Sequence, residues 1–272
     1  MEKVVYLFAG QGSQYIGMGK DLYESLPESK AIFDKADKVL GFSLSRLCFE
    51  GPAEELKRTE NSQPAILTVS IAAFQAARKH KLSAVSFAAG LSLGEYSALV
   101  AAESISFEDA VYLVRRRGEF MEEEARKKPG GMLSVIGLDL ATVKQICSNV
   151  NCEIANLNCP GQIVISGGKK EIEEAKKESE AKGARMSIAL EVSGAFHSSF
   201  MKEASLKLAK ELEKIKVKSP VMPVVSNVTA QPVSSAQEIK ENLIKQVYRS
   251  VLWEDSMKFI LSKGIMNFIE FG

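Results

Sequence analysis

The sequence predicts an α/β fold interrupted by a small α+β unit, and three observations carry that prediction. Two short apolar runs, "KVVYLFAG" and "LSAVSFAAG", read as buried strands, the second running through a glycine-framed corner into a helical pattern. A break at "KKPGG", residues 127–131, separates two regions of different character. From residue 129 to residue 192 the pattern then runs strand, helix, strand, strand, helix, strand. That order is the split β-α-β unit of ferredoxin-like folds.

Taken in order, "KVVYLFAGQGSQ" is a strand entering a Gly-rich loop. "PAILTVSIAAFQAARK" predicts a helix from Pro64 to Lys79, with proline in the first turn, where its missing N–H costs nothing. "LSAVSFAAG" is the second strand, and Leu93–Ala102 the helix after it. "SFEDAVYLVRRRGEFMEEE" is an amphipathic helix opened by Ser106, with Asp109 three residues on in the manner of a capping box. The inserted unit comprises "MLSVIGL" (strand), "DLATVKQICSNV" (helix), "CEIANLN" (strand), a turn at Pro160-Gly161, "QIVISG" (strand), "KKEIEEAKKESEAKG" (helix) and "ARMSIALEV" (strand). A helix in "HSSFMKEASLKLAKELEKI", a strand in "MPVVSNV", two further helices and a last strand, "NFIEFG", follow. The expected domains are therefore 1–128 with 193–272, and 129–192 inserted between them.

Composition narrows the function. A formal charge of +1 gives no bulk electrostatic case for nucleic acid or an anionic membrane surface. No run approaches the ~20 apolar residues of a membrane span, and the N-terminal run is too short for a signal peptide. Cys48, Cys147, Cys152 and Cys159 form no Cys-x-x-Cys pair and have only two histidines beside them, so free thiols, no metal site and a cytoplasmic protein are expected.

The chemistry concentrates at Gly90-Leu91-Ser92-Leu93-Gly94, which fits the nucleophile elbow G-x-S-x-G in its required strand-turn-helix setting. The blander reading is a serine N-cap with small neighbours. A nucleophilic serine needs a base. His80, in "ARKHKLS", sits at a charged helix end, where a solvated cation is expected. His197, in "EVSGAFHSSFM", falls on the apolar stripe of Met201, Ala204, Leu208 and Leu212, and is expected in the first helical turn, whose dipole keeps the imidazole neutral. On the 107–121 helix, Arg117 shares the inner stripe with Ala110, Leu113, Val114, Phe120 and Met121, whereas Arg115 and Arg116 fall off it and are expected to be solvated. A buried guanidinium must meet an anion, either an internal carboxylate or a substrate's. "GQGSQ" lacks both the spacing and the lysine of a phosphate loop, but Gln11 and Gln14 could place an amide near the serine.

With these pieces assembled, nearly the whole chain resembles the malonyl-CoA:acyl carrier protein transacylase family. The resemblance rests on "FAGQGSQ" with "GMGKDLY", "GLSLGEYSAL", "LVRRRGEFM", "NLNCPGQIVISG", "VSGAFHSSFM" and "PVVSNVTA". It implies an α/β-hydrolase-like core with a ferredoxin-like insertion and an active site between them. It implies Ser92 as nucleophile, His197 as base, and Gln11 with the Leu93 N–H as oxyanion hole. Arg117 would hold the malonyl carboxylate, with Met121 and Phe196 beside the substrate. The family orients its histidine by a main-chain carbonyl, which alignment on "RSVLWEDS" puts at or near Leu252. Malonyl-CoA and an acidic acyl carrier protein are the implied partners, with no cofactor and a monomeric enzyme. Lysines 169, 170, 176, 177 and 182 offer either a docking face for that carrier or a solvated helix face. The chain departs from the family at Leu91, where many members have histidine, at Gly194 within "GAFH", and at "EFG", where relatives continue through a Gly-Pro-Gly turn and a helix. An acyl hydrolase and a catalytically idle carrier-binding module are the competing readings.

Overall fold

The structure, a computed structural model, describes residues 3–78 and 85–272; His80 lies outside them. β1 (Val4–Phe8) leads through α1 (Lys20–Ser25), α2 (Pro27–Leu40), α3 (Leu44–Glu50) and α4 (Ala53–Lys57) to the long α5 (Thr59–Arg78). β2 (Val85–Gly90), α6 (Gly94–Ala101) and α7 (Phe107–Lys127) follow. Then come β3 (Gly130–Ile136), α8 (Leu140–Val150), β4 (Glu153–Cys159), β5 (Gln162–Gly168), α9 (Lys169–Ala181) and β6 (Met186–Ala189). A 3₁₀ turn at Ser199–Met201, α10 (Lys202–Lys214), β7 (Val224–Val225), β8 (Pro232–Val233), α11 (Ala236–Gln246), β9 (Val251–Leu252), α12 (Trp253–Ser262) and β10 (Asn267–Phe271) complete the chain.

These strands make two mixed sheets. The first has the order β10-β1-β2-β7-β8 and is parallel apart from the final β7-β8 pair. The second has the order β6-β3-β5-β4-β9, antiparallel except where β9 joins β4. β9 comes from the C-terminal segment and was not anticipated; two residues are too short to show a period. In the second sheet the alternation of side chains divides two environments. Leu133, Val135, Ile163 and Ile165 pack with Val143, Ile146 and Ile172 into a separate core beneath α8 and α9. Met132 and Val164, on the opposite face, belong to the main core.

Local sequence explains the elements that position the site. Ser106 caps α7, its hydroxyl accepting from the Asp109 N–H at 3.0 Å, as expected. α5 starts at Thr59, five residues before the predicted start, so Pro64 lies inside it. The Glu60 carbonyl that Pro64 cannot engage accepts instead from Arg115 Nη1 at 3.0 Å. That bond, with another from the same nitrogen to Asn61 Oδ1 at 2.5 Å, corrects the expectation that Arg115 is merely solvated. α5 and α7 approach closely because Gly118 has no side chain: a Cβ there would lie 2.6 Å from Glu60 Cα. The "KKPGG" break is shorter than it reads, since α7 runs to Lys127 and Gly130 already pairs with Gly168.

Among the described residues no helix is long and apolar enough to cross a membrane. Cys48, Cys147, Cys152 and Cys159 are free thiols, only Cys159 exposed. Lysines 169, 170, 176, 177 and 182 are all exposed, and Lys182 pairs with Glu178.

Candidate active site

The corner after β2 is built by two glycines. A Cβ on Gly90 would fall 2.1 Å from the Gly94 carbonyl, and one on Gly94 would fall 2.2 Å from the Phe8 carbonyl. Strand and helix therefore touch backbone to backbone, and Ser92 between them is forced to φ 51°, a left-handed conformation rare outside glycine. Asn227 holds that corner, its Oδ1 accepting from the Ser92 N–H at 2.6 Å and its Nδ2 donating to the Gly90 carbonyl at 2.9 Å. The hydroxyl then points into a cavity of about 470 Å³.

His197 reaches the same cavity from a turn, not from the first turn of a helix as expected; the 3₁₀ turn starts two residues later. His197 is itself left-handed, at φ 57°. The second sheet braces this turn: Ser166 Oγ donates to the Phe196 carbonyl at 2.6 Å, and the Glu153 carboxylate accepts from the Ser199 N–H at 3.0 Å. The Ser92 hydroxyl and His197 Nε2 are 2.8 Å apart. His197 Nδ1 lies 2.8 Å from the Gln246 main-chain carbonyl, which can only accept, so Nδ1 carries the proton and Nε2 faces the Ser92 hydroxyl with its lone pair.

Leu252 does not supply that carbonyl, which corrects the sequence expectation. Its N–H donates to the Asn227 carbonyl and its own carbonyl accepts from Ser256 Oγ, both at 2.8 Å. The physical reason is helix termination: Gln246 ends α11, where the last carbonyls lack intrahelical donors and are free for another group. The neutrality expected of the imidazole does hold, from a different cause. Burial first, and the Arg117 charge second, lower the His197 pKa to about 4, against smaller opposing contributions from the Gln246 and Arg249 backbone.

Arg117 is 2% exposed. Nη1 donates to Gln63 Oε1 at 2.7 Å, and Nη2 donates to Ser92 Oγ and Gln246 Oε1, both at 3.1 Å. Nε has no partner, and among the described residues no carboxylate forms an ion pair with this guanidinium. A fully desolvated cation thus faces the cavity with neutral ligands only. Against the lowering by burial, Glu95 raises the Arg117 pKa through space, and the Gln246 amide bonds both groups.

Gln11, Met121 and Phe196 line the same cavity, so the structure brings them together with Ser92, His197 and Arg117. Gln11 Nε2 donates to Thr59 Oγ1 at 3.3 Å. Leu93 is buried and caps the start of α6, where early N–H groups lack intrahelical acceptors. Gly194 accounts for its departure from the family pattern: a Cβ there would lie 2.6 Å from Ala125 Cβ, leaving no room for a side chain. The lining also includes Asn156 and Asn158, whose buried amide oxygens have no partner among the described residues.

Sequence reasoning missed Gln63, Gln246, Asn227 and Glu95. Gln246 carried a signal of the kind that singled out Arg117, since it continues the buried stripe Ile239, Asn242 and Leu243 at helical spacing. Gln63 precedes the proline taken as the helix start.

The acyl transferase domain family matches residues 5–271. The malonyl CoA-acyl carrier protein transacylase of Bacillus subtilis (strain 168) is 50% identical, over 100% of this chain and 87% of its own length. The protein of the same description from Escherichia coli (strain K12) is 40% identical, over 100% and 89%. Among solved structures, a malonyl-transacylase in complex with a type II PKS acyl-carrier protein superposes with a TM-score of 0.97 at 39% identity, covering 100% of this chain and 89% of that one. An acyl-carrier-protein-S-malonyltransferase from Bartonella henselae gives 0.96 at 39%, covering 100% and 88%. The protein is therefore an acyltransferase. It belongs to the malonyl CoA-acyl carrier protein transacylase family.

Proposed function

We propose that the protein moves a malonyl group from malonyl-CoA to the phosphopantetheine thiol of an acyl carrier protein, in a ping-pong reaction through malonyl-Ser92. The observation that carries this reading is the buried Arg117 guanidinium, 3.1 Å from the Ser92 hydroxyl and, among the described residues, with no carboxylate in an ion pair with it. A buried unpaired charge costs roughly 3–5 kcal/mol, which a substrate carboxylate relieves and an acetyl group does not. The same argument weighs against a hydrolase of neutral acyl chains.

In the first half-reaction His197 Nε2 takes the Ser92 proton as the oxygen attacks the thioester carbonyl. The tetrahedral oxyanion is met by Gln11 and by the Leu93 N–H at the positive end of α6. The C–S bond breaks, the CoA sulfur receives the proton from His197, and a malonyl ester remains on Ser92. In the second half the phosphopantetheine thiol gives its proton to His197 and attacks the ester. Ser92 then leaves as an alcohol, reprotonated from the imidazole. A base of this kind contributes ~10²–10⁴-fold. Phe196 and Met121 bound the acyl group. Since one chain carries every one of these groups, a monomer suffices for the reaction.

In this reading residues 1–128 and 193–272 form an α/β-hydrolase-like core and 129–192 a ferredoxin-like insertion, supported by the order β6-β3-β5-β4 and the separate core beneath α8 and α9. The test is intact-mass spectrometry of the chain with malonyl-CoA, then with holo carrier protein. A malonyl adduct that is absent in Ser92→Ala and passes to the carrier is expected. Rapid loss of the adduct to water would favour a hydrolase, and no adduct would favour a binding module.

A further inference from the structure

The chemistry above makes no use of Glu95, a carboxyl group 2% exposed on α6, three residues past the reacting serine. Burial raises its pKa to about 7, hydrogen bonds from Gln246 and Asn227 opposing that rise. Its Oε2 accepts from Gln246 Nε2 at 2.6 Å and from the Asn227 N–H at 3.2 Å. Both partners matter, because Asn227 holds the Ser92 corner and Gln246 bonds Ser92, Arg117 and His197.

Gln246 is wholly buried, and its amide is committed at both ends. Nε2 gives one hydrogen to the Ser92 carbonyl at 2.9 Å and the other to Glu95, while Oε1 faces Arg117 Nη2. A guanidinium can only donate, and a peptide carbonyl can only accept. The amide therefore has a single satisfactory orientation, and in it Glu95 accepts the second Nε2 hydrogen. Reversed, it would set NH₂ against the guanidinium and C=O against two oxygens. The main-chain carbonyl of the same residue fixes the His197 tautomer.

We infer that Glu95 is a positioning residue: its carboxyl oxygen locks Gln246, and Gln246 in turn aims the Arg117 guanidinium at the cavity and the His197 imidazole at Ser92. The inference rests on the malonyl-transfer reading. The property required of Glu95 is an acceptor at the right distance, which either protonation state supplies, rather than a charge. Two variants separate these properties. Glu95→Gln keeps an acceptor oxygen at full reach and has no charge, whereas Glu95→Asp keeps the charge but withdraws it by about one C–C bond, ~1.5 Å.

The experiment measures the rate of Ser92 acylation by malonyl-CoA and by acetyl-CoA, using quenched samples and intact mass, in the full chain and both variants. Glu95→Gln should stay within about threefold of the parent, while Glu95→Asp should lose ~10–100-fold with malonyl-CoA, the range expected for misplacing reacting groups by about 1 Å. Acetyl transfer, which makes no use of the guanidinium's aim at a carboxylate, should fall less, so the malonyl-to-acetyl ratio should drop about tenfold in the Asp variant. Should the Asp variant lack the parent's thermal transition, Glu95→Met, which fills the space without an acceptor, takes its place with the same expected loss. The reverse order, with Asp the more active, overturns the inference, as does an equal fall with both thioesters. If the parent itself forms no malonyl adduct, the reading beneath the inference fails instead.

Discussion

Replacing Arg117 by alanine tests the assignment of cargo most directly. The side chain does two things at once: Nη2 donates to the Ser92 oxygen at 3.1 Å, and the guanidinium as a whole faces the cavity with only neutral partners. The first bond serves any acyl donor. Losing a charged donor of this kind costs ~1.5–3 kcal/mol, so acetyl and malonyl transfer should both slow by roughly 10–10²-fold on that account. The second loss concerns malonyl alone, because its carboxylate would be buried without a counter-charge at ~3–5 kcal/mol, a further ~10²–10⁴-fold. The ratio of malonyl-CoA to acetyl-CoA acylation rates cancels the shared part, and should fall by ~10²–10⁴ in Arg117→Ala. Stability is measured alongside, because the truncation leaves the buried Gln63 and Gln246 amide oxygens without this donor. Quenched-flow acylation of Ser92 read by intact mass gives both rates. An unchanged ratio, with both rates lowered together, would show that the guanidinium serves the serine and does not select the acid.

Two further expectations concern the fold that holds the site. Gly94→Ala must push α6 away from β1, because its Cβ would start 2.2 Å from the Phe8 carbonyl, whereas Gly131→Ala meets nothing within 4 Å. Urea unfolding should show about 3 kcal/mol or more lost in the first and little change in the second; equal midpoints would refute the backbone contact. The pH dependence of stability involves two opposing groups. His197 falls from 6.5 to about 4 on folding, so below pH 6.5 the unfolded chain binds the extra proton and stability drops as pH falls. Glu95 rises from 4.5 to about 7, so above pH 4.5 the folded chain keeps a proton the unfolded chain has released, and stability drops as pH rises. Between about 4.5 and 6.5 the two slopes cancel. Glu95→Gln should therefore gain, relative to the parent, ~1.4 kcal/mol per pH unit as pH increases across that window, and His197→Gln should lose as much. Parallel curves for parent and variants, measured by urea unfolding at a series of pH values, would contradict both assignments.

Much of this site is written in local pattern. A serine framed by Gly90 and Gly94 implies a backbone contact too close for any side chain, and that contact is what lifts the hydroxyl out of the corner. Helical phase separated buried Arg117 from its half-buried neighbours Arg115 and Arg116, although it did not foresee the bonds Arg115 makes to α5. The order strand, helix, strand, strand, helix, strand from β3 to β6 was also readable, and Asp139 caps α8. These features depend on residues a few positions apart, and the sequence by itself determined them. What surrounds Arg117 was another matter. Gln63, Gln246 and Asn227 lie on segments far apart in the chain, and nothing within each segment says which groups of the others it will meet. The group that orients His197 is a backbone carbonyl, which every residue possesses, so no choice of side chain could mark Gln246 over Leu252. The neutral imidazole likewise comes from burial and a neighbouring cation, not from the helix dipole that local reading offered. Hydrogen-bond partners and desolvation are set by which segments meet, and that only the packing of the two sheets around one cavity decides.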